Sequence, residues 1–121
     1  MTTTQNASGY LTLTTAAAIT EGRRVKITSG GLADVAGATD LAIGTAQAAA
    51  ASGGLVTVKL WSAPGTFLVV AAAGIARGAQ LYPAAAGEVD DAGTTAIGLV
   101  AKEAATTQGD IIEAVPILLG A

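Results

Sequence analysis

The sequence contains no histidine and no cysteine in its 121 residues. Without histidine the chain lacks the side chain that titrates near neutral pH and the commonest ligand of transition metals. Without cysteine it has no disulfide and no thiolate chemistry. Catalytic triads of the Ser-His-Asp and Cys-His types are therefore excluded. We expect a protein that is not an enzyme and that uses no cofactor and no metal ion.

Aromatic residues make up only 3% of the chain and charged residues only 12%, although 51% of the residues are hydrophobic. Much of that hydrophobic content is alanine, which buries little apolar area per residue, so its core is expected to be thin. A chain of this length suits a single domain. We expect self-association, in which neighbouring copies supply the apolar contact that a thin core lacks.

Targeting signals are scarce as well. The opening "MTTTQNASGY" has neither a basic segment nor a long apolar segment, so we expect no signal peptide. The most apolar run, "FLVVAAAGIA" at residues 67–76, is far shorter than the roughly 20 residues of a membrane helix. These features favour a soluble protein made in the cytoplasm, with no membrane partner.

Alternation of apolar and polar residues is the main structural signal that is present. Residues 1–9 have no such pattern and are predicted to form a flexible arm. Frequent glycines separate short strands, which is typical of an all-β barrel or sandwich-like domain, here residues 10–121. The sequence predicts strands at residues 10–15, 23–28, 32–35, 41–46, 55–61 and 66–72.

The clearest local pattern is "SAPG" between two of these strands. Pro64 and Gly65 suit the centre of a type II turn, so residues 55–61 and 66–72 are predicted to form a β-hairpin. Trp61 follows the alternation onto the side away from the valines of its strand. It is predicted either to cap the core or to anchor an oligomer interface. Tyr10 and Phe67 are predicted to lie in the core.

Two parts of the chain resemble each other. Ile19 and Ile75, Gly22 and Gly78, and Gly31 and Gly87 all differ by 56 positions. "AIG" occurs at residues 42–44 and 96–98, an offset of 54. Further along, Gly53 or Gly54 matches Gly109, and residues 56–58 match 111–113. These matches predict a duplicated unit at about 19–61 and 75–117, with glycines where the backbone takes positive φ or passes close to another strand.

Few residues could carry chemistry. "GEVDDAG" at residues 87–93 contains Glu88, Asp90 and Asp91, but the spacing is not that of an EF-hand, and a solvated turn is the favoured interpretation. A glycosidase would need two carboxylates in a cleft, which usually contains aromatic residues. The sequence therefore favours no small-molecule substrate.

The basic residues Arg23, Arg24 and Lys26 form the main cluster of positive charge. In an alternating strand, Arg24, Lys26 and Thr28 would share one face, opposite Val25 and Ile27. Such a cluster suits nucleic acid, an acidic protein surface, or simple solvation of a strand face. The net charge of −3 and the absence of nearby aromatics argue against nucleic acid.

The order of the repeated motifs resembles the capsid cement (head decoration) proteins of tailed bacteriophages. In that family "I-x-x-G-x-x-V", "AIG" and "G-x-x-(V/I)-x-V" strands occur twice, and "G-x-x-(L/V)-Y-x-x-x-x-G" marks the second copy. The residues here that match the second-copy motif are Gly78, Leu81, Tyr82 and Gly87. The similarity covers roughly residues 8–119, and the chain departs from it at Pro83 and in the alanine-rich segment 47–54.

The resemblance implies an all-β protein on the outer surface of the virion head, where a homotrimer would bind the major capsid protein and clamp neighbouring capsomers. In this hypothesis the arm orders on the capsid and the basic cluster adds electrostatic attraction. The candidate contact residues are Thr2, Thr3, Thr4, Gln5, Asn6, Tyr10, Arg23, Arg24 and Lys26, and the oligomer-interface candidate is Trp61.

Two alternatives remain open at this point: the base domain of a capsid fibre, and a surface module that binds glycans. We expect a fibre base to continue into a repetitive stalk, whereas this chain ends at Ala121 after its last strand. A glycan-binding module would be expected to show clustered aromatics or a calcium loop.

Overall fold

The structure is a computed structural model that describes residues 8–117. The described residues contain no α-helix, only a short 3₁₀ turn at Ala85–Gly87, and no helix that could span a membrane. The predicted all-β, sandwich-like class is thus confirmed. The predicted arm lies almost wholly outside the described residues, as do the candidate contacts Thr2, Thr3, Thr4, Gln5 and Asn6. The strands are β1 Tyr10–Thr14, β2 Arg24–Ile27, β3 Ala33–Val35, β4 Gly44–Ala46, β5 Leu55–Leu60, β6 Phe67–Val70, β7 Tyr82–Pro83, β8 Val89–Asp90, β9 Leu99–Ala101 and β10 Ile111–Pro116.

Strands β1–β5, here called the first repeat, form one antiparallel sheet in the order β1-β5-β4-β2-β3. The first strand of the repeat pairs with the last, so that Leu13 lies opposite Val56. A single parallel bridge between Thr15 and Ala33 joins the two edges of the sheet. The sheet therefore curls back on itself around its apolar side chains without closing into a barrel.

Strands β6–β10, the second repeat, have the same arrangement in two smaller sheets, β6-β10-β9 and β7-β8. The bridge between Gln80 and Val100 connects β7 to β9, and the parallel bridge between Ala71 and Val89 connects β8 to β6. The order of neighbouring strands around the second repeat is therefore that of the first.

Backbone hydrogen bonds between equivalent positions occur in both repeats. The Gly22 N–H donates to Ala46 O over 2.9 Å, and the Gly78 N–H donates to Ala101 O over 2.8 Å. Gly22 and Gly78 also share positive φ angles of 83° and 85°, as the glycine pattern predicts. The duplication inferred from the sequence is thus a duplication of structure.

The register of the last strand in each repeat differs from the sequence match by one residue. Val56 lies opposite Leu13 and Ile112 lies opposite Val69, so Val56 corresponds to Ile112, not to Ile111 as predicted. The offset of 56 is therefore kept here. Because side chains alternate across a strand, a shift of one residue would have exchanged the buried and exposed faces.

From Asp90 to Ile97 the second repeat is two residues shorter than the first repeat from Asp34 to Ile43, which lowers the offset from 56 to 54. A one-residue bulge in the second repeat then raises the offset to 55. In the first repeat, the Ile43 N–H donates to Val25 O and the Ile43 carbonyl accepts from Trp61. In the second repeat these two bonds are divided between Ile97, which donates to Leu81 O, and Gly98, which accepts from Ile117. Gly98 has a φ of 99°, as an added bulge residue often does.

The predicted hairpin at Pro64 and Gly65 is wrong, because β5 and β6 belong to different sheets. Gly65 does take the positive φ of a turn, at 96°, but the turn links one repeat to the next. Strand β5 already has β1 on one edge and β4 on the other, and a strand has only two edges for hydrogen bonding.

Each repeat has its own apolar core. Phe67 is 1% exposed and lies in the second core as predicted, whereas the prediction for Tyr10 is wrong, since it is 40% exposed on the outer face of β1. The buried members of the first core are Ile19, Val25, Ala33, Ala46, Val56 and Val58. The buried members of the second core are Phe67, Val69, Ala71, Ile75, Leu81, Val89, Leu99, Ala101, Ala105, Ile112 and Ala114.

Candidate functional site

Arg24 connects the two repeats at a junction where loops from both meet. Its side chain is 1% exposed, and the guanidinium group donates only to backbone carbonyl oxygens. On the second repeat it donates to Ala84 O over 2.5 Å and to Glu88 O over 3.1 Å. On its own repeat it reaches Ala36 O and Gly37 O, at 3.3 and 3.4 Å. Burial lowers the pKa of Arg24, and the nearby Asp40 carboxylate partly opposes this.

The prediction that Arg24 lies on a solvated strand face is therefore wrong. Ile27, expected to be buried with Val25, is instead 46% exposed at the end of β2. The alternation rule assumes that one face of a sheet meets solvent. Here the second repeat covers the face of β2 that Arg24 occupies, so both faces of the strand are buried at its start.

Arg23 also belongs to the junction. Its guanidinium group donates to Ala86 O over 2.7 Å and lies 3.3 Å from the Glu88 carboxylate. Glu88 is 6% exposed, and its carboxylate also accepts a hydrogen bond from the Gln108 side-chain amide over 3.3 Å. The prediction of a solvated acidic turn thus holds for the exposed Asp91 and is wrong for Glu88.

Lys26, the third basic residue, has a different partner. Its ammonium group lies 3.0 Å from the carboxylate of Asp40, which also accepts from the Gly37 N–H over 2.8 Å. The backbone N–H and then Lys26 lower the pKa of Asp40. Arg23, Arg24 and Lys26 therefore do not form one open basic patch. Contact of Arg23 and Lys26 with a capsid stays a prediction.

A groove of about 790 Å³ runs along the junction. Two equivalent loops form its walls, residues 38–42 from the first repeat and residues 93–97 from the second. Leu41 stands at the lip with 91% of its side chain exposed. Apolar and hydroxyl side chains make up most of the lining, which comprises Arg24, Ala38, Thr39, Asp40, Leu41, Ala42, Trp61, Pro83, Gly93, Thr94, Thr95, Ala96 and Ile97.

Trp61 closes one end of this groove. Its indole N–H donates to Ala42 O over 2.8 Å, and its ring centroid lies 5.2 Å from that of Phe67. The Lys59 ammonium group lies 4.6 Å from the centre of the Phe67 ring and donates to Thr66 O. Of its two predicted roles, the contacts within the chain support the first, since Trp61 packs against the second core. The oligomer-interface role stays a prediction.

Several acidic side chains bind neighbouring backbone and side-chain groups. No group of three or more potential metal-ligating side chains occurs within residues 8–117. Asp110 accepts from the Thr106 and Thr107 N–H groups, which lower its pKa. Lys102 and then Thr66 lower the pKa of Glu113. These carboxylates hold turns and strands together.

Acid should destabilise the fold through these carboxylates. A carboxylate whose pKa is lowered by folding stabilises the native state above its unfolded pKa, and this contribution is lost as the pH falls through its folded pKa. For Asp110 the loss should begin below about pH 4, where aspartate normally titrates. Melting temperatures between pH 6 and 3 should fall, and Asp110→Asn should flatten that dependence. Asp91→Asn, at an exposed site, should not, and equal slopes for both variants would contradict the assignment.

The fold is similar to that of a structural protein of a phage head. The crystal structure of the N base of the head fibre gp8.5 of bacteriophage phi29 superposes with a TM-score of 0.73. The alignment covers 88% of this chain and 92% of that one, at 17% sequence identity. At such low identity the similarity shows a common fold and nothing more. No model of a known protein family and no curated protein sequence matches the chain.

The junction contains residues that reading the sequence strand by strand does not find. Glu88 was assigned to a solvated turn, and Leu41 was assigned only to a strand. The aligned repeats offer a signal for the junction, since Arg23 corresponds to Ala79 and Glu88 corresponds to Leu32 at the offset of 56. Both ends of the ion pair change together between the two copies.

Proposed function

We propose that this chain is a structural protein of a bacteriophage head and serves as the base domain of a head fibre, attached to the outer surface of the shell. The observation that carries the proposal is the similarity to the phi29 fibre base over nearly the whole of both chains. The major capsid protein is the proposed partner. The chain acts by adhesion, without a reaction.

A fibre base was expected to continue into a repetitive stalk, and the share of the phi29 chain that aligns is relevant to that expectation. The matched phi29 chain is itself an N base, and 92% of it aligns with this chain. A fibre base can therefore be a domain of this size.

The cement function is the second candidate, supported by the order of the glycine and alanine motifs. Both functions require binding to the head, but only a cement protein has to strengthen the shell. They therefore differ in one measurable property, the resistance of the filled head to heat.

The test uses heads from phage in which the gene for this chain is disrupted. Purified chain is added, the heads are sedimented, and bound chain is measured against added chain. Saturable binding is expected, with DNA release on heating unchanged for a fibre base and shifted upward by several degrees for cement. Absence of binding at any concentration would refute both.

The same assay tests the arm. Deletion of residues 2–9 is expected to reduce occupancy at least tenfold, because a segment that folds on contact contributes its whole interface to binding. Tyr10→Ala, at the exposed end of β1, is expected to have a smaller effect in the same direction. Thr95→Ala, at an exposed position of the second repeat, is the control. Undiminished occupancy after the deletion would remove the arm from the contact.

A further inference from the structure

The duplicated fold provides an internal comparison, because each surface occurs twice and is covered only once. The first repeat contributes to the junction what we call its front surface, Gly22, Arg23, Arg24, Val35 and Ala36. The second repeat contributes what we call its back surface, Val70, Ala84, Gly87 and Glu88. The second repeat therefore keeps an unused front surface, and the first repeat keeps an unused back surface.

The front surface is buried in the first repeat and open in the second. A Cβ atom on Gly22 would lie 3.2 Å from Val70 Cγ2, whereas a Cβ atom on Gly78 would have no atom of a described residue within 4 Å beyond its own chain neighbours. Arg24 is 1% exposed and its equivalent Gln80 is exposed. The same difference separates Ala36, which is 0% exposed, from its equivalent Ala92, which is exposed.

The back surface shows the opposite pattern. A Cβ atom on Gly87 would lie 2.8 Å from Val35 Cγ1, but a Cβ atom on Gly31, its equivalent, would have no atom of a described residue within 4 Å beyond its own chain neighbours. Glu88 is 6% exposed, whereas Leu32 in the same place is 37% exposed. The junction thus has a direction, from front to back.

We propose that the chain self-associates head to tail, the front surface of the second repeat in one copy binding the back surface of the first repeat in the next. The contact between copies would repeat the contact within the chain. Such a heterologous contact closes into a ring or extends as a filament, according to the rotation between neighbours. This inference does not depend on the proposed function.

One pair of positions on the two open surfaces matches in chemistry. Within the chain, Arg23 on the front surface pairs with Glu88 on the back surface at 3.3 Å. At the open positions both partners are apolar, Ala79 on the front and Leu32 on the back. An interface with only one of these two changes would bury an unpaired charge, which is strongly unfavourable. The paired change keeps these two positions complementary.

The experiment exchanges this pair between the two interfaces. Leu32→Glu and Ala79→Arg each place at an open position the residue that its equivalent holds at the junction. Each variant alone should raise the concentration of half-assembly about tenfold or more, because one unpaired charge would be buried. The double variant should recover most of the loss by forming the ion pair between copies. Leu41→Glu, at an exposed leucine that belongs to neither of the two open surfaces, should assemble like the wild type.

Analytical ultracentrifugation of the purified chain gives the mass of each variant over a range of concentrations, and circular dichroism shows that each remains folded. A wild-type chain that stays monomeric would overturn the proposal. The chain would also stay monomeric if its own residues 1–7 occupied the back surface of the first repeat, and that result overturns the proposal as well. A Leu32→Glu variant that assembles like the wild type would also overturn it. Failure of the double variant to recover would show that the two positions do not meet.

Discussion

Replacing Arg24 with methionine is expected to lower the free energy of unfolding by about 3 kcal/mol, because hydrogen bonds from a buried charged donor are lost. Ala84 O loses the partner that Arg24 provides. Ala36 O, Gly37 O and Glu88 O each keep a backbone donor. Methionine also removes the cost of burying a charge, which opposes the loss without cancelling it. Unfolding in urea measures the change, which is a substantial fraction of the roughly 5–15 kcal/mol that stabilises a typical domain.

Two further variants make this result specific. Arg77→Met makes the same substitution at an exposed arginine and should change stability by less than about 0.5 kcal/mol. Arg24→Lys keeps the charge but loses the planar group that reaches several carbonyls at once, so it should lie between the two. Equal stability of Arg24→Met and Arg77→Met would show that the junction contributes little.

Replacing Gly44 with alanine is expected to cost about 3 kcal/mol or more, because the added atom meets backbone that cannot move aside cheaply. A Cβ atom at Gly44 would lie 2.0 Å from Lys59 O and 2.9 Å from Leu60 Cα. Strand β4 would have to separate from β5 to accept it. The second repeat holds Leu99 at the equivalent position, directly after the extra residue Gly98. We infer that the bulge provides the room there.

Gly30→Ala is the matched control, since Gly30 lies in a turn with only Thr28 Oγ1 near, at 3.8 Å. Its stability in urea should stay within about 0.5 kcal/mol of the wild type. If Gly44→Ala were equally stable, the close approach of β4 to β5 would be wrong.

Local alternation predicted much of the sheet structure. Residues 10–15 and 23–28 were assigned as strands and became β1 and β2, because apolar side chains on alternate positions need one buried face. The offset of 56 likewise predicted the duplication, since positive-φ positions such as Gly22 and Gly78 require glycine whatever surrounds them. Both signals can be found in a single sequence, because alternation spans only a few residues and the duplication is a repeated pattern.

Two features could not be predicted in this way: which strands pair with each other, and which side chains the other repeat buries. The turn at Pro64 and Gly65 fits a hairpin locally, but β5 is already paired on both edges by β1 and β4. Arg24 has the sequence context of an exposed residue and is buried by residues 84–88, some 60 positions away along the chain. Both errors arise from contacts between distant segments, which a single sequence does not display.

The pairing of first with last strand also orders events during synthesis. The first repeat can close once residues 55–60 have left the ribosome, since β5 then supplies the partner of β1. Domains of a growing chain generally fold in this N-terminal-first order. The Arg24 guanidinium then remains hydrated until Ala84 and Glu88 are made. We therefore expect a nascent intermediate with one finished repeat, and the junction to be the last part of the molecule to form.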